Sequence, residues 1–145
     1  MKKCLVLFCL ILIIPLLTGC ENTIPESLDT DFTLAPGQTG RILKESFDVQ
    51  FVDVSQDSRC PTGVECIRAG NFTCDIIIIW KGDVNNIRLT SVEGSDVSTT
   101  IFGAYKLYFS LSPRPKANQT INKKDYRLTL KVTNLTPPIF FTPAQ

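Results

Sequence analysis

Cysteines and carboxylates are the residues through which this chain could do chemistry, because histidine is absent from all 145 positions. Without His there is no Ser–His or Cys–His activated nucleophile and no His-containing metal site. The six cysteines are Cys4, Cys9, Cys20, Cys60, Cys66 and Cys74. Cys60 and Cys66 enclose Pro-Thr-Gly-Val-Glu, a spacing that a disulfide can close. It is not the Cys-x-x-Cys of redox proteins, and no imidazole is present to activate a thiolate. Cys74 lies a few residues on and competes for Cys66. Acids at Asp53, Asp57, Glu65, Asp75 and Asp83 could supply a glycosidase-like pair, but a solvated β surface carries that many anyway. No phosphate-cradling Gly loop and no calcium-loop pattern occurs. The expectation is a protein with no catalytic residues, no metal and no cofactor.

The chemistry therefore concentrates in Asp57-Ser58-Arg59-Cys60-Pro61-Thr62-Gly63-Val64-Glu65-Cys66-Ile67-Arg68-Ala69-Gly70. Pro61 fixes φ and Gly63 permits φ > 0, so the segment can turn back sharply. Asp57 and Ser58 can bond forward to backbone N–H groups. Arg59 lies beside Asp57 and near Glu65, so a local ion pair is available. The plainer role is a staple that orders the entry to the next strand. The functional role is a rigid loop that docks into a partner, through Asp57, Arg59, Pro61, Thr62, Gly63, Val64, Glu65 and Arg68. Two disulfides compete. Cys60–Cys66 follows from the short turn. Cys66–Cys74 follows if residues 67–73 form a hairpin with a three-residue loop at Ala69-Gly70-Asn71. In the first case Cys74 is a buried free thiol, on one face with Phe72, Ile76 and Ile78.

Asp-Ser-Arg-Cys-Pro followed by Cys66-Ile-x-Ala69-Gly70 resembles the signature of a family of small, uncharacterised bacterial lipoproteins and secreted proteins. Pro36-Gly37-Gln38, Leu111-Ser112-Pro113-Arg114-Pro115 and Asp125-Tyr126 are similar to looser elements of that family. The likeness covers residues 31–133. Arg68, where relatives carry Trp, and Cys74 depart from it. The resemblance implies a β-rich secreted domain and no activity.

The N-terminal sequence gives an address. Met1-Lys2-Lys3 is a basic n-region, and residues 4–17 are apolar apart from Pro15. Leu17-Thr18-Gly19-Cys20 reads as a lipobox. Its cysteine becomes a diacylglycerol cysteine with palmitate-like chains and the first residue of the mature protein. Residues 1–19 are thus expected to be a lipoprotein signal peptide and are left out of fold reasoning. Removing them, with two Lys and no acid, takes the formal charge from +1 to −1. A near-neutral chain gives no electrostatic case for nucleic acid. Glu21 is not the Asp of an inner-membrane retention signal.

The elements that must position the loop read as strands. Residues 20–31 are acidic, contain Pro25 and are expected to be a tether. From Phe32 the apolar period is two. Ala35-Pro36-Gly37-Gln38 fits a type II turn. Phe47, Val49 and Phe51 alternate, then Val52 and Val54 fall out of phase, which predicts a bulge. Residues 71–80 make the most apolar strand. Phe72, Cys74, Ile76, Ile78 and Trp80 share its core face, and Ile77 and Ile79 predict cover on the other side. A weaker strand over 84–92 puts Ile87 and Leu89 inward. Clean alternation follows at 105–111 and 126–132. Trp80 is expected in the core rather than as a sugar platform. The prediction is an all-β, antiparallel β-sandwich of about seven strands over 32–136, with a tail at 137–145 whose Ile139-Phe140-Phe141 can pack on the domain.

The expected function is that of a cell-envelope lipoprotein of unspecified role, a surface-attached binding or structural β-domain. The alternative is an inhibitor-like protein that docks through the Cys60–Cys66 loop. A docking loop must project as an exposed tip, whereas a staple packs against the sheet. Partners are a membrane, through the lipid anchor, and an unidentified protein or glycan, with no nucleic acid. The location is exported, anchored to the cell membrane or outer membrane and facing the periplasm or exterior.

Overall fold

The computed structural model describes residues 22–135. The signal peptide, Cys20, Glu21 and the 137–145 tail lie outside them. Within the described residues are nine strands: β1 (Thr23–Glu26), β2 (Phe32–Leu34), β3 (Thr39–Ile42), β4 (Phe47–Asp57), β5 (Phe72–Trp80), β6 (Asp83–Thr90), β7 (Ser98–Phe102), β8 (Tyr105–Ser112) and β9 (Arg127–Asn134). The first sheet runs β1-β3-β4-β5-β6 and the second β2-β9-β8-β7. Only β1 and β3 pair in parallel; the other pairs are antiparallel. The fold is the predicted all-β sandwich.

Alternation explains the core. Phe47, Val49 and Phe51 on β4 and Cys74, Ile76 and Ile78 on β5 face Leu107 and Phe109 on β8 and Leu128, Leu130 and Val132 on β9. Phe72 meets Phe109 edge-on at 5.9 Å and Phe47 meets Tyr105 at 4.7 Å, which locks the two sheets together. Trp80 joins this core at one end, edge-on to Phe102 and Tyr105, each 5.9 Å away. The turn at Ala35–Gln38 is present, closed by the Gln38 N–H to the Ala35 carbonyl at 3.0 Å.

Two expectations are corrected. The 20–31 tether is interrupted by β1, which adds to the edge of the first sheet beside β3. Pro25 fits there because an edge strand tolerates a missing donor. The second correction concerns Ile77 and Ile79. They face outward on β5, where Ile77 is half-buried and Ile79 exposed, and no third layer covers them among the described residues.

The predicted bulge is real, and there are two. Register slips between Phe51 and Asp53 and again between Val54 and Gln56. Val52, the first extra residue, is exposed, and Val54 returns to the core. The second slip brings Asp57, opposite Phe72, to the inward face as β4 ends. The bulges thus set which way the loop residues point.

Candidate functional site

The loop between β4 and β5 has a buried base and an exposed tip. At the base, Arg59 is only 9% exposed. Its guanidinium forks onto Asp57, with Nε 2.8 Å from one carboxylate oxygen and Nη2 2.7 Å from the other. Nη2 also donates to the Pro113 carbonyl at 2.8 Å, and Nη1 donates to the Leu111 carbonyl. The guanidinium lies over the Phe72 ring, 5.2 Å from its centroid. The Tyr126 hydroxyl donates to Asp57 at 3.1 Å. Burial, followed by the charge of Asp57, pushes the Tyr126 hydroxyl up to about 12. One ion pair from the end of the first sheet thus satisfies acceptors on the second. A buried pair with this many partners resists opening, because breaking it strands a charge.

Above the base the hairpin continues. Ser58 N–H donates to the Asn71 carbonyl at 2.8 Å, and Cys60 N–H to Ala69 at 2.8 Å. Gly70 sits here with φ +67, and a Cβ would lie 1.8 Å from the Ser58 carbonyl oxygen. Only glycine fits that close approach. On the other flank Thr62 N–H reaches the Pro115 carbonyl at 2.9 Å. The disulfide joins Cys60 and Cys66 across a Cα separation of 6.0 Å. Val64 N–H turns back to the Pro61 carbonyl at 3.4 Å, with Gly63 at φ +81 between them.

Cys66 and Cys74 do not pair. The hairpin puts Cys74 opposite Val54 and Leu89, inside the sheet, while Cys66 stands on the exposed tip. Cys74 is free and fully buried. Burial pushes its thiol up to about 12, which keeps it protonated and inert.

The tip is convex. Residues 62–69 are all exposed, and Val64 retains 45% of its surface. Ile67 is as open as in an extended peptide, at 106%. The loop residues read from the sequence therefore divide. Thr62, Gly63, Val64, Glu65 and Arg68 are on the exposed tip, with Pro61 half-buried at its root. Asp57 and Arg59 are corrected: their side chains are 7% and 8% exposed and form the base. Arg59 pairs with Asp57 rather than with Glu65. Ile67 joins the other residues on the tip, a contact residue that the sequence reading does not single out. Its signal was an apolar residue in a polar turn, outside any strand period.

The scattered acids are held separately. Asp53 pairs with Lys123, Asp75 with Arg88 at 3.0 Å, and Asp48 with Arg41 at 3.0 Å. Asp53 and Asp75 stand opposite each other at the first bulge, each with its own cation. What the loop can do chemically is present a rigid, apolar-and-charged tip to another surface. Compared with known proteins, the chain matches no family model, no curated protein and no solved structure.

Proposed function

We propose that this chain is an exported lipoprotein, anchored through Cys20, whose sandwich presents the Cys60–Cys66 loop to a protein partner. One observation carries the reading: Ile67 is fully exposed on a loop whose base is locked by the Arg59–Asp57 pair and whose tip is closed by a disulfide. Exposed apolar side chains gain by desolvation on contact, and a pre-ordered loop loses little entropy when it binds. Val64, Glu65 and Arg68 surround Ile67 with further contact groups. The basic n-region, the apolar run, the lipobox and the likeness of the 57–70 signature to small bacterial lipoproteins support export and anchoring. So does a disulfide, which persists in oxidising compartments. The reading assigns no catalysis; with no His in the chain, Ser–His and Cys–His activation are not open to it.

The test is a photo-crosslinking amino acid placed at Ile67 in cells, with the same group at Arg88 as control. A discrete crosslinked protein from position 67, absent from position 88 and lost when Cys60 and Cys66 are replaced by Ser, supports docking through the loop. Equal yields from the two positions, or a crosslink indifferent to the disulfide, reduce the loop to a staple.

A further inference from the structure

The two outer faces of the sandwich carry different charge. On the first sheet the cations Arg41 and Arg88 each face a carboxylate, and the third outward acid, Asp53, is met by Lys123. The register fixes what faces outward on the second sheet. Tyr108 and Lys106 of β8 lie beside Thr99 and Ile101 of β7, and on their other side beside Lys131 and Thr133 of β9. Ser110 lies beside Thr129, which shares a 2.9 Å hydrogen bond with Thr33. Arg127 completes the row and, among the described residues, donates to the carbonyls of Lys124 and Tyr126. None of the outward positions on this sheet is Asp or Glu. Two acids border it, Asp31 near Tyr108 and Asp29, whose N–H bonds the Val132 carbonyl of β9 at 2.9 Å.

At its centre two ammonium groups share one ring. Lys106 Nζ lies 4.8 Å and Lys131 Nζ 4.9 Å from the Tyr108 centroid. The ring attracts both, which orders them, yet they repel each other. An anion beside the ring that meets both ammonium groups offsets that repulsion. The surrounding Ser and Thr hydroxyls suit sugar hydroxyls. The face is a flat sheet and not a cleft, so it fits an extended polymer better than a small molecule. Single-stranded nucleic acid needs successive open aromatic rings; here one ring is present and lysines lie over it.

We propose that the outer face of β7, β8 and β9 binds an anionic polysaccharide, a sugar chain bearing carboxylate or phosphate groups, with Lys106 and Lys131 holding its charges about Tyr108. This face is separate from the Cys60–Cys66 loop, and either reading can fail without the other.

The test uses the full chain, purified in detergent, against immobilised alginate for carboxylates, phosphomannan for phosphates, neutral dextran and oligo-dT. Binding to one or both anionic glycans, weakening with salt, absent for dextran and tighter than for oligo-dT, is the expected result. Lys106→Gln combined with Lys131→Gln should lower affinity about 10-fold, on the scale of two exposed charge contacts. The Arg pair at the same positions should retain it, and Arg88→Gln on the opposite sheet should change nothing. The proposal is overturned if neither anionic glycan binds, if dextran or oligo-dT binds as tightly, or if the double Gln variant matches the parent.

Discussion

Arg59 is the side chain on which the end of the sandwich depends. Its donors reach Asp57 and the carbonyls of Leu111 and Pro113. Arg59→Ala leaves the Asp57 carboxylate and two carbonyls short of donors, and is expected to cost about 3–5 kcal/mol, read from urea unfolding. Replacing both partners by apolar residues should cost much less than the single change. Cys74 and Tyr126 make a second prediction. Their ordinary values of 9.0 and 10.0 are both raised to about 12, so the fold prefers the protonated forms. That contribution is complete below pH 9 and is lost as pH rises towards 12. Melting temperature should fall across that window, and less steeply in Cys74→Ala. Native Cys74 should also resist alkylation until the protein is denatured. The cysteine pairing was legible in the sequence because Pro61 and Gly63 lie between close partners. The fate of Arg59 was not, since two of its acceptors are backbone carbonyls more than fifty positions along, and carbonyls leave no mark in a sequence.

At the level of strands, the bulges in β4 decide which side chains meet. Inserting one residue after Val52 shifts the rest of β4 by one position and turns Val54 and Asp57 to solvent. The expected loss is about 4 kcal/mol or more, because apolar contacts and the buried pair go together. Val52→Thr, at the same exposed position, should stay within about 0.5 kcal/mol; denaturant midpoints separate the two. The staple contributes on a smaller scale. Replacing Cys60 and Cys66 by Ser releases a short loop and should cost roughly 2 kcal/mol on the chain-entropy estimate, seen as a lower melting temperature in a protein that still folds. Strands β4, β5, β8 and β9 were legible because Phe, Ile, Leu and Val alternate along them. Three strands were hidden. In β3 an inward position is Gly40, where a Cβ would lie 2.7 Å from the Phe32 ring. In β7 the inward set begins with Ser98, whose hydroxyl accepts from Val92 N–H at 2.8 Å. In β1 the Pro and Glu of Thr23–Glu26 imitate a linker. Each turns a single large apolar side chain to the core (Ile24, Ile42 and Phe102), too few to show a hydrophobic period.

For the molecule as a whole, near-neutral net charge argued against polyanions, but it averages two unlike faces. Export is tested directly: Cys20→Ser should leave an unprocessed precursor, detected by its mass, and normal processing and sorting of that variant would end the lipoprotein reading. The sheet itself limits what such an anchor permits. Thr39 N–H bonds the Asn22 carbonyl at 3.0 Å, which ties Asn22, two positions after Cys20, to the sheet. Two residues span at most about 7 Å. An acylated Cys20 would therefore be a pivot rather than a leash. The start of β1 would stay close to the lipid headgroups. From Gln50, the partner of Thr39, β4 runs on to Asp57 at the same end of the sandwich as Asn22, so the disulfide tip would be held near the membrane and favour neighbours rooted in the same bilayer.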